Sequence, residues 1–166
     1  MPATVLLLAT EPAGQAAADA LRHSLDTETK LLSSLRAGLA SLRLYDFSLI
    51  LLDETLATDD PETTERIYQV TGAPVLELNL GISGAQRIVR QVRSALIRRT
   101  RDLALARAAA AAQLYSELNQ TLAGLLLESE LALRQATPAQ EPRLRELVTL
   151  ASDLRDRLRL KQENLG

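Results

Sequence analysis

Residues 45–56, Tyr-Asp-Phe-Ser-Leu-Ile-Leu-Leu-Asp-Glu-Thr-Leu, decide the fold of the first half of the chain. From Phe47 to Leu52 the run is almost wholly apolar, and it stops at the acidic pair Asp53-Glu54. A short continuous apolar run with a polar stop is the pattern of a strand buried on both faces, as in parallel sheets. Working outward, residues 4–10 form a second such run, closed by Glu11-Pro12. Residues 75–80 form a third after the breaker Gly72-Ala73-Pro74, and residues 28–32 a shorter one. Helical patterns lie between them at 14–25, 34–42 and 61–71, the last with Asp59 or Asp60 able to cap it. Alternation of this kind predicts an α/β domain, a parallel sheet of about four strands with flanking helices and right-handed crossovers.

The second half has no strand pattern. From 83 to 136, beyond Gly84 at its start, nothing breaks a helix except Gly124, which costs about 1 kcal/mol relative to alanine. At about 1.5 Å per residue such a helix is on the order of 80 Å long, a length that normally belongs to a coiled coil or bundle. Tyr115, Leu118, Leu122, Leu125, Ser129 and Ala132 alternate spacings of three and four, a heptad seam. Residues 137–142, with Pro138 and Pro142, read as a turn. A second helix from 143 to 163 carries Leu144, Leu147, Ala151, Leu154 and Leu158 on a similar seam. Two antiparallel helices cannot bury both apolar faces by themselves, so a homodimeric four-helix bundle is expected, with these seam residues as its interface. The expected division is an α/β domain at 1–82, a connecting helix at 83–109 and a dimerisation hairpin at 110–166.

Composition removes much chemistry. The 166 residues include no Cys, no Trp and a single His, His23, and aromatic residues make up 2%. Thiolate zinc sites, disulfides, cysteine nucleophiles and paired histidine ligands are excluded, as are aromatic stacking platforms for bases. The apolar runs are too short to span a bilayer, so a cytoplasmic location without membrane attachment is expected. Charge is uneven, with −7 over residues 1–81 and +5 over 82–166. Much of the positive charge lies in the segment containing Arg87, Arg90, Arg93, Arg98, Arg99 and Arg101, a possible phosphate-binding face and also the pattern of a solvated helix surface.

The first half resembles a response-regulator receiver. The phrase VLLLATEPA (5–13) is similar to the family's first strand and acidic pair, YDFSLILLDETL (45–56) to the third strand ending in the phosphoacceptor aspartate, and GAPVLELN (72–79) to the fourth strand. The resemblance implies Asp53 as the phosphoacceptor position. It also implies Mg²⁺ between two acidic residues after the first strand, which are Ala9 and Thr10 here, leaving Glu11 alone. The family's Ser/Thr after the fourth strand falls on Asn79, and its fifth strand with the Lys-Pro pair is absent. Glu11 and Asp53 are weak candidates for a metal, and no cofactor, Mg²⁺ included, is expected.

The second half resembles the dimerisation and phosphotransfer hairpin of sensor histidine kinases. LYSELNQTLAGLLLESELALR (114–134) is similar to the family's His-Glu-Leu-Asn-x-Pro-Leu motif, and RLRELVTLASDLRDRLRLK (143–161) to its second helix. The phosphorylated His falls on Ser116, the acid/base Glu on Glu117, Asn on Asn119 and the kinking Pro on Thr121. Serine has no imidazole nitrogen to form a phosphoramidate, and no nucleotide-binding domain follows within the sequence. Together the two resemblances imply a non-catalytic, dimeric two-component adaptor that binds a sensor kinase or a response regulator. Two alternatives remain: a phosphoacceptor regulator using Asp53, and a nucleic-acid-binding regulator using the arginine-rich helix 87–101.

Overall fold

Strand β1 (Ala3–Leu8) sits inside the sheet, and from Val5 to Leu8 every residue is fully buried. The computed structural model describes residues 3–163, so the outermost ends of the expected segments 1–82 and 110–166 lie outside the described residues. After β1 come α1 (Ala13–Ser24), β2 (Thr27–Leu32), α2 (Leu35–Leu42) and β3 (Leu49–Asp53). Then follow α3 (Glu54–Asp59), α4 (Pro61–Val70), β4 (Val75–Leu78), α5 (Ala85–Arg134) and α6 (Glu141–Glu163). The four strands are parallel in the order β2-β1-β3-β4, and β3 is buried along its whole length, as its unbroken apolar text requires.

Alternation along the strands feeds two cores. Val5, Leu7, Leu49 and Leu51 point to one face, where Ala17, Ala18 and Leu21 of α1 and Ile88, Val92 and Ala95 of α5 cover them. Leu6, Leu8, Ile50 and Leu52 point to the other, under Leu35 of α2, Ala57 of α3 and Ile67 of α4. Ile88, Val92 and Ala95 recur at spacings of four and three, the inward stripe of an amphipathic helix. That stripe places the first part of α5 in the α/β unit, which extends to Asp102; the helical unit starts at Leu103. The 83–109 segment therefore divides between the two units.

The chain winds outward from β1 to β2 and then returns to β3 on the far side of β1. Such a reversal leaves a crevice beyond the carboxyl ends of the two strands it separates, here β1 and β3. Ala9, Thr10, Glu11 and Asp53 stand at those ends.

In the helical unit, α5 and α6 flank a turn in which Gln140 Oε1 accepts from the backbone amide and hydroxyl of Thr137 at 3.2 and 3.0 Å. Glu141 rather than Arg143 opens α6, and Pro142 lies in its first turn, where a missing N–H costs nothing. Among the described residues no helix is long and apolar enough to cross a membrane.

Candidate functional site

Asp53 ends β3 and caps α3, and its side chain is 3% exposed. Its Oδ1 accepts from the amide of Thr55 at 3.4 Å and from the amide of Leu80, just beyond β4, at 3.5 Å. The carboxylate thus joins the start of α3 to the chain leaving the edge strand. Ala9 is fully buried and Thr10 and Glu11 are exposed at the end of β1. Asn79 is occupied locally: its Oδ1 accepts from the Ile82 amide at 3.2 Å, and its carbonyl accepts from the Ser83 amide at 2.9 Å. Among the described residues no three His, Cys, Asp or Glu side chains gather to hold a metal ion. His23 lies apart in the last turn of α1, where Nδ1–H donates to the Asp19 carbonyl at 2.8 Å.

The kinase-like text lies in the middle of α5. Ser116 and Glu117 are exposed, and Glu117 Oε1 accepts from Gln113 Nε2 at 3.0 Å, one turn back. Thr121, at the position of the family's proline, returns its hydroxyl to the Glu117 carbonyl at 2.9 Å, and the helix runs on. Asn119 is half-buried, and its Oδ1 is closed off from solvent without a hydrogen-bond partner among the described residues. A buried acceptor in that state costs about 1–3 kcal/mol.

The expected interface residues separate into two stripes. Leu122, Leu126 and Ala151 are buried at 8%, 8% and 5% exposure, and Tyr115, Asn119, Ser129, Leu133, Leu144, Val148 and Leu158 are half-buried. In a unit of two helices joined by a turn, these form the hairpin's inner seam. Leu118, Leu125, Leu147 and Leu154 stay 47–51% exposed. The heptad reading found Leu122 and Leu125 alike but missed Leu126, whose signal was its spacing of four from Leu122 and seven from both Asn119 and Leu133.

Comparison with protein-family profiles, with curated proteins and with solved structures finds no match.

Proposed function

We propose that the chain is a dimeric, non-catalytic signalling adaptor of two-component type, whose hairpin pairs with that of a second copy in a four-helix bundle. One observation carries the dimer. On both helices the exposed leucines follow inner-seam positions by three residues: Leu118 after Tyr115, Leu125 after Leu122, Leu147 after Leu144, Leu154 after Ala151. A step of three turns about 60° backward around a helix, and antiparallel helices mirror that rotation. Both stripes therefore open on the same side of the hairpin, as one apolar face.

Self-pairing across a two-fold axis covers such a face with its own copy. The four leucines, with Leu114 and Leu150 at the rim, are about half exposed. Burying them in two copies contributes on the order of 10–15 kcal/mol. That matches the size of the entropy cost of association, about 4–15 kcal/mol.

The signalling half of the reading rests on the two resemblances. The phosphotransfer position is a serine, and the aspartate of the receiver-like unit has its Oδ1 engaged by two backbone amides. Partner binding without phosphate chemistry accommodates both. The expected partners are a sensor kinase or a response regulator, docking around Ser116 and Glu117.

Light scattering of the full chain tests the dimer. The expected mass is twice that of one chain, and Leu118→Glu/Leu154→Glu is expected to give monomers that keep their helical circular dichroism. A monomeric wild-type protein overturns the reading. Incubation with labelled ATP and a histidine kinase is expected to leave no acid-labile label on the chain.

A further inference from the structure

The two edges of the sheet are treated differently. At β2, the carbonyls of Leu32 and its even-numbered neighbours face β1, as the Ala9 amide on the Leu32 carbonyl shows (3.1 Å), so Thr29 faces outward. Arg22 covers that outward carbonyl, its guanidinium donating to Thr29 O at 3.3 Å, and Lys30 stands on the same edge strand. Guanidinium and ammonium groups placed so are a common way to close an edge.

At β4 nothing comparable is present. The Ile50 amide donates to the Pro74 carbonyl at 3.0 Å, which sets the phase of the parallel ladder: residues 74, 76 and 78 turn their backbone groups to β3. The N–H and C=O groups of Val75 and Glu77 therefore point away from the sheet. Among the described residues they meet no hydrogen-bond partner. Beside this edge runs a groove of about 420 Å³, walled by Leu76 and by one stripe of α5: Arg87, Gln91, Ser94 and Arg98. A second hollow of about 530 Å³ continues it, sharing Leu76 and Arg98 and lined also by Arg99 and by Asp102, the one acidic side chain against two arginines there. Arg87 and Arg98 are exposed, and neither guanidinium makes a hydrogen bond or ion pair among the described residues.

The geometry points to a binding site for an extended acidic segment of another polypeptide, added to β4 as a fifth parallel or antiparallel strand. Its main chain would pair with Val75 and Glu77. Alternate side chains would face α5, where carboxylates meet Arg87 and Arg98 and smaller groups lie against Leu76. The two arginines are eleven residues apart, about 16 Å along the helix, the length of about five strand residues. A second copy of this chain is a poor occupant, because β4 against β4 would bring two sets of these arginines together. A nucleic acid could use the arginines but cannot continue the ladder. The inference stands on the α/β unit alone and does not depend on pairing of the hairpins.

Fluorescence anisotropy of the full chain with a labelled heptapeptide of alternating Glu and Val tests the site. Binding is expected, with Arg87→Glu/Arg98→Glu weakening it by about tenfold or more. N-methylation of the central Val and of the Glu after it, which removes a ladder N–H in either strand direction and leaves the charges in place, is expected to weaken it by about tenfold as well. Amide hydrogen exchange should slow at Val75 and Glu77 when the peptide is bound. Three results overturn the inference: no binding of the heptapeptide, equal binding of its N-methylated form, or tighter binding of a short duplex DNA than of the peptide at the same ionic strength.

Discussion

The amide of Leu80 donates to the carboxylate of Asp53 across 27 residues of chain, joining the end of the central strand β3 to the exit from the edge strand β4. Leu80 is itself 5% exposed, so this amide has no water to turn to. Asp53→Ala is expected to lower stability by about 1–3 kcal/mol, because it strands the amides of Leu80 and Thr55. Asp53→Asn retains an acceptor oxygen and is expected to cost less. Urea unfolding of the three proteins decides it, and an alanine variant as stable as wild type would remove the joining role. Beryllofluoride with Mg²⁺ is expected to leave the amide spectrum around Asp53 unchanged.

Leu122 and Leu125 are neighbours in sequence with different consequences. Leu122 lies in the hairpin's inner seam, and Leu122→Ala is expected to cost about 2–4 kcal/mol through the cavity it leaves. Leu125 lies on the open apolar face, so Leu125→Ala is expected to act through association. The thermal midpoint of a dimer rises with protein concentration, and the Leu125 variant should show a weaker rise than wild type. Melts over a wide concentration range check this. Identical concentration dependence in both variants would contradict the assignment of the two stripes.

Much of this is legible in the sequence alone. β1 and β3 announce themselves because strands buried on both faces need continuous apolar text, and the amphipathic helices follow from their spacing. Helix α3 was missed: six residues, Glu54 to Asp59, offer no full apolar period, and the helix exists because Asp53 caps it. The seam was read as one stripe where there are two. Apolar residues on three adjacent lines of a helix reveal the width of the covered face but not which neighbour covers each line. The Asp53–Leu80 bond and the bare edge of β4 left no trace in the text, since both depend on backbone groups that every residue carries.

Tyr68 donates its hydroxyl to Glu77 Oε2 at 3.1 Å. Partial burial first, and then the hydrogen bond to the carboxylate and its charge, hold the phenol above its usual value of 10.0. The folded state therefore keeps this proton longer than the unfolded state does. The associated stability is fully present below pH 10 and is lost as pH rises through the raised value. Tyr68→Phe is expected to flatten the alkaline fall in stability between about pH 9 and 11. Urea midpoints measured across that window test it, and an unchanged slope in the variant would count against the bond.

Gly38 and Gly124 both lie inside continuous helices, in opposite surroundings. A Cβ on Gly38 would stand 2.6 Å from Cδ2 of Leu8, a fully buried side chain with no room to withdraw. Gly38→Ala is expected to cost about 1–3 kcal/mol. A Cβ on Gly124 meets nothing within 4 Å among the described residues, and Gly124→Ala is expected to stabilise by about 0.5–1 kcal/mol. The urea midpoints should move in opposite directions. If they shift together, helix propensity alone governs both sites.

The covered carbonyl of Thr29 bears on how the protein behaves when concentrated. Open-ended fibre growth by sheet extension needs two receptive edges per molecule, one to join the stack and one to present to the next arrival. Arg22 seated over β2 covers one carbonyl of that edge, which leaves β4 the more receptive of the two. A β4 edge joined to the β4 edge of a second copy would leave only the partly covered β2 edges outside, and the facing arginines disfavour even that pair, so sheet extension from copy to copy is suppressed.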